Sequence, residues 1–405
     1  MAKKKPDGSI VKAIESEHKL QPIFERHFVS NNPSKPTILP TILIIDLFVP
    51  IYDKESGSRR LFEIIKIFKS LNFRVIFAAD DGYKNEPYTS VLQSLQVEVL
   101  YTQLGDNIAI ERQIKRRLSS IDLAWICRPE LCQKYIPLIR QNNKIKVVYD
   151  TIDLHYLRLK REGELLKIGN NKWQEMQTKE LSIASQTDLT ITVTATEQKI
   201  LQEQSINNVE VIPNIHLSYK RKIPDFNSRS GILFIGGYNH SPNVDAVEWL
   251  CHEIMPLVWQ QQPNLKVTLL GSNPPAEVKS LANSRIAVTG YIKDVAPYFL
   301  SHKLFVSPLR YGAGMKGKIG QSLEYSLPIV STAIGAEGMN LVNERDILQA
   351  NNTRDFAVQI LRLDRDIQLW QKLSSNSALA IAAYHPQQIK SKLSGVVNNL
   401  LKIDS

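Results

Sequence analysis

Short apolar runs recur along this sequence without the polar alternation of a half-solvated strand, and amphipathic stretches separate them. In the first half the runs fall at 42–46, 74–79, 97–101, 123–127, 146–150, 189–193 and 209–213. In the second half they fall at 232–235, 266–270, 286–289, 304–306, 329–331 and 347–348. Between the first two lies 60–71, where Leu61, Ile64, Ile65 and Phe68 recur at helical spacing. A strand that is apolar along its whole length has both faces buried, and helices covering both faces imply crossovers between parallel strands. The pattern therefore predicts doubly wound α/β structure. Because it occurs twice, on either side of a polar stretch containing Lys220-Arg221-Lys222-Ile223-Pro224, it predicts two Rossmann-like domains facing across a cleft.

The expected organisation is a loosely ordered leader over 1–36, a first domain over 37–215, a linker over 216–230, a second domain over 231–385 and a closing segment over 386–405 with a helix at 388–401. A chain of 405 residues exceeds one ordinary core and suits two. The longest apolar run, 38–51, is broken by Pro40, Asp46 and Pro50, so no membrane span is expected, and the Met1-Ala2-Lys3-Lys4-Lys5 start lacks the apolar stretch of a secretory signal. Cys127, Cys132 and Cys251 are too few and scattered for a disulfide framework or a zinc site, which points to reducing cytoplasm. The net charge of +10 suits phosphate-bearing substrates or peripheral contact with an acidic inner membrane face. With no finger spacing, RNP-like strand or continuous basic helix, nucleic acid is not expected as a partner.

In open parallel sheets ligands sit beyond the carboxyl ends of the strands, near helix N-termini. Four strand-end clusters meet that condition. Ser307-Pro308-Leu309-Arg310-Tyr311-Gly312-Ala313-Gly314-Met315-Lys316-Gly317-Lys318 runs from a strand through glycines and two lysines into a helix expected at 319–326; it reads as a diphosphate cradle or as a basic surface loop. Ile235-Gly236-Gly237-Tyr238-Asn239-His240-Ser241-Pro242-Asn243 brings a second strand to glycines, with Ser241 or Asn243 able to cap the next helix. In the first half, Ser56-Gly57-Ser58-Arg59 forms a turn in which a serine can cap a helix, while Gly57 and Arg59 can receive an anionic group. Asp150-Thr151-Ile152-Asp153-Leu154-His155 ends a strand with carboxylates and a histidine suited to a sugar hydroxyl or a proton transfer.

Together these residues resemble the group 1 glycosyltransferases, the family 4 class with the GT-B fold. The likeness runs over 230–340 and includes Phe234-Ile235-Gly236, Gly290-Tyr291-Ile292-Lys293-Asp294, Gly312-Ala313-Gly314-Met315-Lys316-Gly317-Lys318-Ile319, Leu327-Pro328-Ile329-Val330 and Gly335-Ala336-Glu337-Gly338. It implies a metal-independent, cofactor-free sugar transfer with retention, from a nucleotide-diphosphate sugar to a sugar, lipid-linked or polypeptide acceptor. The donor-binding residues it implies are Gly236, Gly237, Gly290, Tyr291, Ile292, Arg310, Gly312, Ala313, Gly314, Met315, Lys316, Lys318 and Gln321. His155 and Asp153 fall near the transferred sugar, Ser56, Gly57, Ser58 and Arg59 on the acceptor side, and the final helix crosses back to the first domain.

The sequence also departs from the family. Ala313 and Gln321 stand at the positions of its paired glutamates, Ser326 replaces a glycine, the basic pair after Gly236 is missing, and Ile152 stands near the usual histidine. Glu324 replaces Gln321 only if the helix is rotated. These departures frame the alternative of a catalytically impaired GT-B scaffold protein; a sugar-nucleotide epimerase would need an acid–base pair that the sequence does not display.

Overall fold

The computed structural model describes residues 39–102, 109–167, 169, 171–219 and 222–402. The expected leader, and Lys220 and Arg221 of the expected linker, lie outside the described residues. Seven strands, β1 (Thr41–Asp46), β2 (Arg74–Ala79), β3 (Glu98–Leu100), β4 (Leu123–Cys127), β5 (Lys146–Asp150), β6 (Leu189–Thr192) and β7 (Val209–Val211), form one sheet in the order β3-β2-β1-β4-β5-β6-β7. Six more, β8 (Ile232–Ile235), β9 (Val267–Leu270), β10 (Ile286–Gly290), β11 (Leu304–Ser307), β12 (Ile329–Ser331) and β13 (Leu348–Gln349), form a second in the order β10-β9-β8-β11-β12-β13. The pairings in both sheets are parallel. The strand order reverses direction between β1 and β4 and again between β8 and β11, so each sheet has a switch point where a crevice opens.

The two-residue period of a strand distributes the apolar residues to opposite faces. Ile42 and Ile44 of β1 join Leu61, Ile64 and Phe68 on one side of the first sheet. Leu43 and Ile45 join Leu131, Tyr135 and Ile139 on the other. In β8, Ile232 and Phe234 face one cluster while Leu233 faces the other. The last helix, Pro386–Leu401, sends Ile389, Leu393 and Val397 into the core of the first sheet, against Leu61 and Phe68.

Three local readings are corrected. The segment 56–59 is the first turn of a helix, Ser56–Ser70, rather than a loop before one. Its N-cap is Glu55 and no side chain caps it, so neither Ser56 nor Ser58 has that role. The helix after β8 is Ser241–Trp249, N-capped by His240 without a side-chain bond; Ser241 and Asn243 lie inside it. The helix after the glycine-rich loop is Gly317–Glu324, two residues earlier than expected.

The carboxyl edges of the two sheets meet. A β-carbon on Gly317 would lie 2.0 Å from Ser56 Oγ, and one on Gly320 would lie 2.1 Å from His216 Nε2. Around these contacts Glu324 accepts from Arg59 Nη2 at 2.8 Å and sits 2.7 Å from His216 Nδ1, while Asn214 Nδ2 donates to Met315 O at 3.0 Å. Glycine to alanine within a helix ordinarily gains about 0.5–1 kcal/mol. Gly320→Ala is expected instead to cost about 1–3 kcal/mol, because the buried His216 ring is fixed by Glu324 and cannot yield to overpacking. Urea unfolding measures this; a net gain in stability would show that the contact between the domains is loose.

Candidate functional site

From the first sheet, the chain leaves β5 through Thr151 and Ile152 and enters the helix His155–Leu166. Asp153 lies between two cations, with Oδ1 3.2 Å from His155 Nε2 and Oδ2 accepting from Arg158 Nε at 3.0 Å. Burial opposes ionisation of Asp153, but His155 and Arg158 outweigh it and hold the carboxyl far below its usual range. Burial likewise acts against protonated His155, and the bond and charge of Asp153, followed by the charge of Glu180, raise its pKa nonetheless. Each group of the pair thus favours the charged form of the other. Asp150 itself is not part of this surface: it is buried and engaged by Arg60 Nη1 at 2.7 Å and Trp125 Nε1 at 2.9 Å.

From the second sheet, β11 delivers the loop 308–316. Gly314 has φ +69°, and a β-carbon on it would lie 2.9 Å from Asp153 Cβ. The glycine-rich loop is therefore seated on the Asp153 segment. Arg161, one helical stretch beyond His155, donates to Gly312 O at 2.7 Å and to both oxygens of Glu337 at 2.8 Å. Lys316 is buried and donates to Gly314 O at 2.9 Å and to Glu337 at 3.3 Å; burial lowers its pKa, and Glu337 and Glu197 oppose that. Lys318 is different. Its ammonium bonds the neutral amide of Asn243 and lies 4.5 Å from the Phe234 ring centroid; among the described residues no carboxylate pairs with it. Burial and the nearby Lys316 charge push its pKa down to about 7.

The other residues singled out in the sequence fall into two groups. Gly236 and Gly237 lie beside Lys318: Gly237 O accepts from Asn243 Nδ2 at 2.7 Å, and a β-carbon on Gly236 would collide with the Asn243 side chain. Gly290 has φ +73°, Tyr291 is exposed with its hydroxyl 3.4 Å from Asp53, and Ile292 packs partly against the core under the second sheet. Gln321 is half-buried, and Ala313 packs beside Leu154 and Tyr156. Met315 is buried and offers its carbonyl to Asn214. Arg310 is turned away to Asp245 and the Trp249 ring. Ser56 meets Gly317 and Arg59 binds Glu324, so these two form contacts between the domains, whereas Ser58 is buried and bonds Glu55, and Gly57 meets Ile152, both within the first domain. Glu324 faces Arg59 and His216, which hold it below the usual range against the effect of burial; it is not turned to replace Gln321.

Sequence reasoning missed His240, Arg158, Arg161, Glu180 and Glu197. His240 is exposed at one edge but crowded by the cleft, and that loss of water together with Arg158 lowers its pKa to about 4. Its position after the Gly236-Gly237 turn was the available signal. The glutamates carried none, because they lie on helices that read as ordinary amphipathic segments. Glu180 and Glu197 are buried, and burial raises each to about 7. Between about pH 4.5 and 7 the folded chain therefore holds protons that the unfolded chain, with glutamates near 4.5, has released, and above about 7 both groups are carboxylates. The linked stability is full below pH 4.5 and is lost as pH rises through about 7. Urea midpoints are expected to fall across that window, by at most about 1.4 kcal/mol per pH unit for each group, and to fall less steeply in Glu197→Gln. A flat profile would show both glutamates ionised in the folded chain.

Residues 229–366 match the family described as glycosyl transferases group 1. An uncharacterised 44.6 kDa protein in the cps region of Klebsiella pneumoniae is 22% identical over 155 residues, 36% of this chain and 40% of its own length. The chain thus spans about two-fifths of that relative. Among solved structures, Anabaena HepE in complex with UDP and glucose superposes with a TM-score of 0.67 at 14% identity, covering 88% of this chain and 99% of HepE. Sucrose-phosphate synthase from Thermosynechococcus elongatus gives 0.68 at 13% identity, covering 90% and 100%. TarM, from S. aureus, gives 0.70 at 11%, covering 89% and 99%. No helix among the described residues is long and apolar enough to cross a membrane. The chain has the GT-B fold, and its residues 229–366 form a domain that matches the group 1 glycosyl transferases.

Proposed function

We propose that this chain transfers a sugar from a nucleoside-diphosphate sugar to an acceptor with retention of anomeric configuration, as a family 4 enzyme. The observation that carries the reading is the pair Lys316 and Lys318 at the carboxyl edge of the second sheet, of which Lys318 has, among the described residues, only a neutral amide as hydrogen-bond partner. Both lysines stand at the start of the helix Gly317–Glu324, where the helix dipole disfavours cations. A bound diphosphate would reverse that penalty and restore the charge that burial suppresses. As the bond to the sugar breaks, negative charge grows on the diphosphate, and pre-positioned ammonium groups and loop amides stabilise that state more than the ground state.

In this proposal the loops at Gly236, Gly237, Gly290, Tyr291 and Ile292 hold the nucleotide, and Gln321 offers an amide to a ribose hydroxyl. Asp153 and His155 orient the transferred sugar. Charge compensation falls to the lysines, with no resident metal or cofactor assigned. The acceptor, a sugar, a lipid-linked glycan or a polypeptide, approaches from the first domain. HepE crystallises with UDP and glucose, which makes UDP-glucose the first donor to test. A cytoplasmic setting with contact to an acidic membrane face accords with the net charge of +10.

Calorimetry with UDP tests the diphosphate site. Lys318→Ala is expected to weaken binding by about 1.5–3 kcal/mol, the range of a hydrogen bond to a charged group. Unchanged affinity in Lys316→Ala, Lys318→Ala and the double variant would remove these residues from the site. His155→Ala is expected to lower kcat while UDP affinity stays near native, the pattern of an interaction made mainly in the transition state. Equal turnover in that variant would remove His155 from the reaction.

A further inference from the structure

The backbone that presents Asp153 and His155 is held almost entirely from outside itself. Thr151 N–H donates to Ile191 O at 3.0 Å and Ile152 N–H to the Asp150 carboxylate at 3.3 Å. Leu154 N–H donates to Glu197 Oε1 at 3.0 Å, His155 N–H to Glu180 Oε1 at 3.1 Å, and Tyr156 N–H to Glu180 Oε2 at 2.8 Å. A helix start leaves its first N–H groups without partners inside the helix, and His155–Leu166 has no side-chain cap at its own N-cap. Glu180, from the helix Lys172–Gln186, and Glu197, from the helix Ala195–Glu203, satisfy them instead. Both are buried at 1% exposure or less, where an acceptor with no donors would be costly.

Next to these bonds, Ile152 has φ +64°. A branched side chain in the left-handed region costs about 1–3 kcal/mol and persists only where the surroundings over-determine it. The two glutamates supply that determination immediately after Ile152, and Gly314 seats against Asp153 from the other domain.

We propose that Glu180 and Glu197 are positioning residues: two buried carboxylates, reaching in from separate helices, that fix the strained 151–155 segment so that Asp153 and His155 face the transferred sugar. This rests on the transferase reading given above. The bonding differs between the two in a way that can be tested. Glu180 spends both oxygens on adjacent backbone N–H groups, and Oε1 also accepts from the Tyr149 hydroxyl at 3.2 Å. An amide at that position would set its NH2 against an N–H donor. Glu197 uses only Oε1 on the backbone; Oε2 accepts from the Thr194 hydroxyl at 3.1 Å, and a hydroxyl can turn to accept from an amide instead. Glutamine therefore fits at 197 and not at 180.

The experiment uses the full chain and two readouts: release of nucleoside diphosphate from UDP-glucose, or from a panel of nucleoside-diphosphate sugars if that is not the donor, with water and a panel of sugar and lipid-linked acceptors present to take the glycosyl group, and titration of the His155 imidazole by NMR, assigned with His155→Gln. The groups facing that ring are Asp153, Glu180 and Arg158. Glu180→Gln is expected to lower kcat about tenfold or more, with donor KM changed less than about twofold, and to lower the His155 midpoint. Glu197→Gln is expected to leave both near native, whereas Glu197→Ala lowers kcat as Glu180→Gln does. A folded Glu180→Gln protein with native kcat, or with an unmoved His155 titration, overturns the proposal. So does a parallel fall of kcat and donor affinity that tracks lost thermal stability, because a merely structural carboxylate would give that. If the native chain releases no diphosphate from any nucleotide sugar, the transferase reading fails separately, and the His155 midpoint still decides whether Glu180 holds the histidine.

Discussion

Two parallel sheets can share a site only if the loops at their carboxyl edges come within side-chain reach, and here the approach is closer than a β-carbon allows. Gly317 against Ser56 and Gly320 against His216 set the distance between the domains. Everything polar at the junction follows from that spacing. Arg59 reaches Glu324, Asn214 reaches the Met315 carbonyl, and Arg161 reaches across to Gly312 and Glu337. The same fit lowers the glycine-rich loop onto Asp153, so a lysine-bearing loop of one domain and a carboxylate–histidine pair of the other share one small region. Side chains at those glycines would move the loop away from the acid it touches.

Within that region, two lysines separated by one residue have opposite surroundings. Lys316 is enclosed with Glu337 and the Gly314 carbonyl, and Arg161 shares the same carboxylate. This group of charges is closed on itself and ties the loop to the helix His155–Leu166. Lys318 points to Asn243 and an aromatic face, with no compensating acid among the described residues. One lysine thus holds the loop in place, while the other stands beside Gly236 and Gly237 with its charge suppressed by burial and by Lys316. Both lysines follow the same glycine-rich loop in the sequence, so only their tertiary partners separate Lys316 from Lys318.

The strands were legible because continuous apolar runs leave few alternatives, and the structure differs from the expected bounds mainly at their ends: β3 is Glu98–Leu100 within 97–101, and β7 is Val209–Val211 within 209–213. The helix starts were less legible. Ser56-Gly57-Ser58 has the composition of a turn, since serine competes with helical bonds and glycine is poor in a helix. Contact with Gly317 and Ile152 nonetheless draws those residues into the first turn of Ser56–Ser70. Asn243 has the composition of a cap, but its side chain is used between Gly237 O and Lys318. In both places a tertiary partner outweighed a weak local preference.

Sequence alone determined the doubly wound architecture and the strand-end loops, because burial of a β-strand or an amphipathic helix is written into periods of a few residues, whereas the strand order and its two switch points came from the structure. It also supplied Asp153, His155, Lys316 and Lys318 as candidates from their places after strands. Only the tertiary structure decided which charges are free. Arg161 and Glu337 are 176 positions apart, Arg59 and Glu324 are 265 apart, and the glutamates that cap the His155 helix come from two later helices. An ion pair or a remote cap depends on where two distant segments are brought within about 3 Å, and no local period encodes that distance.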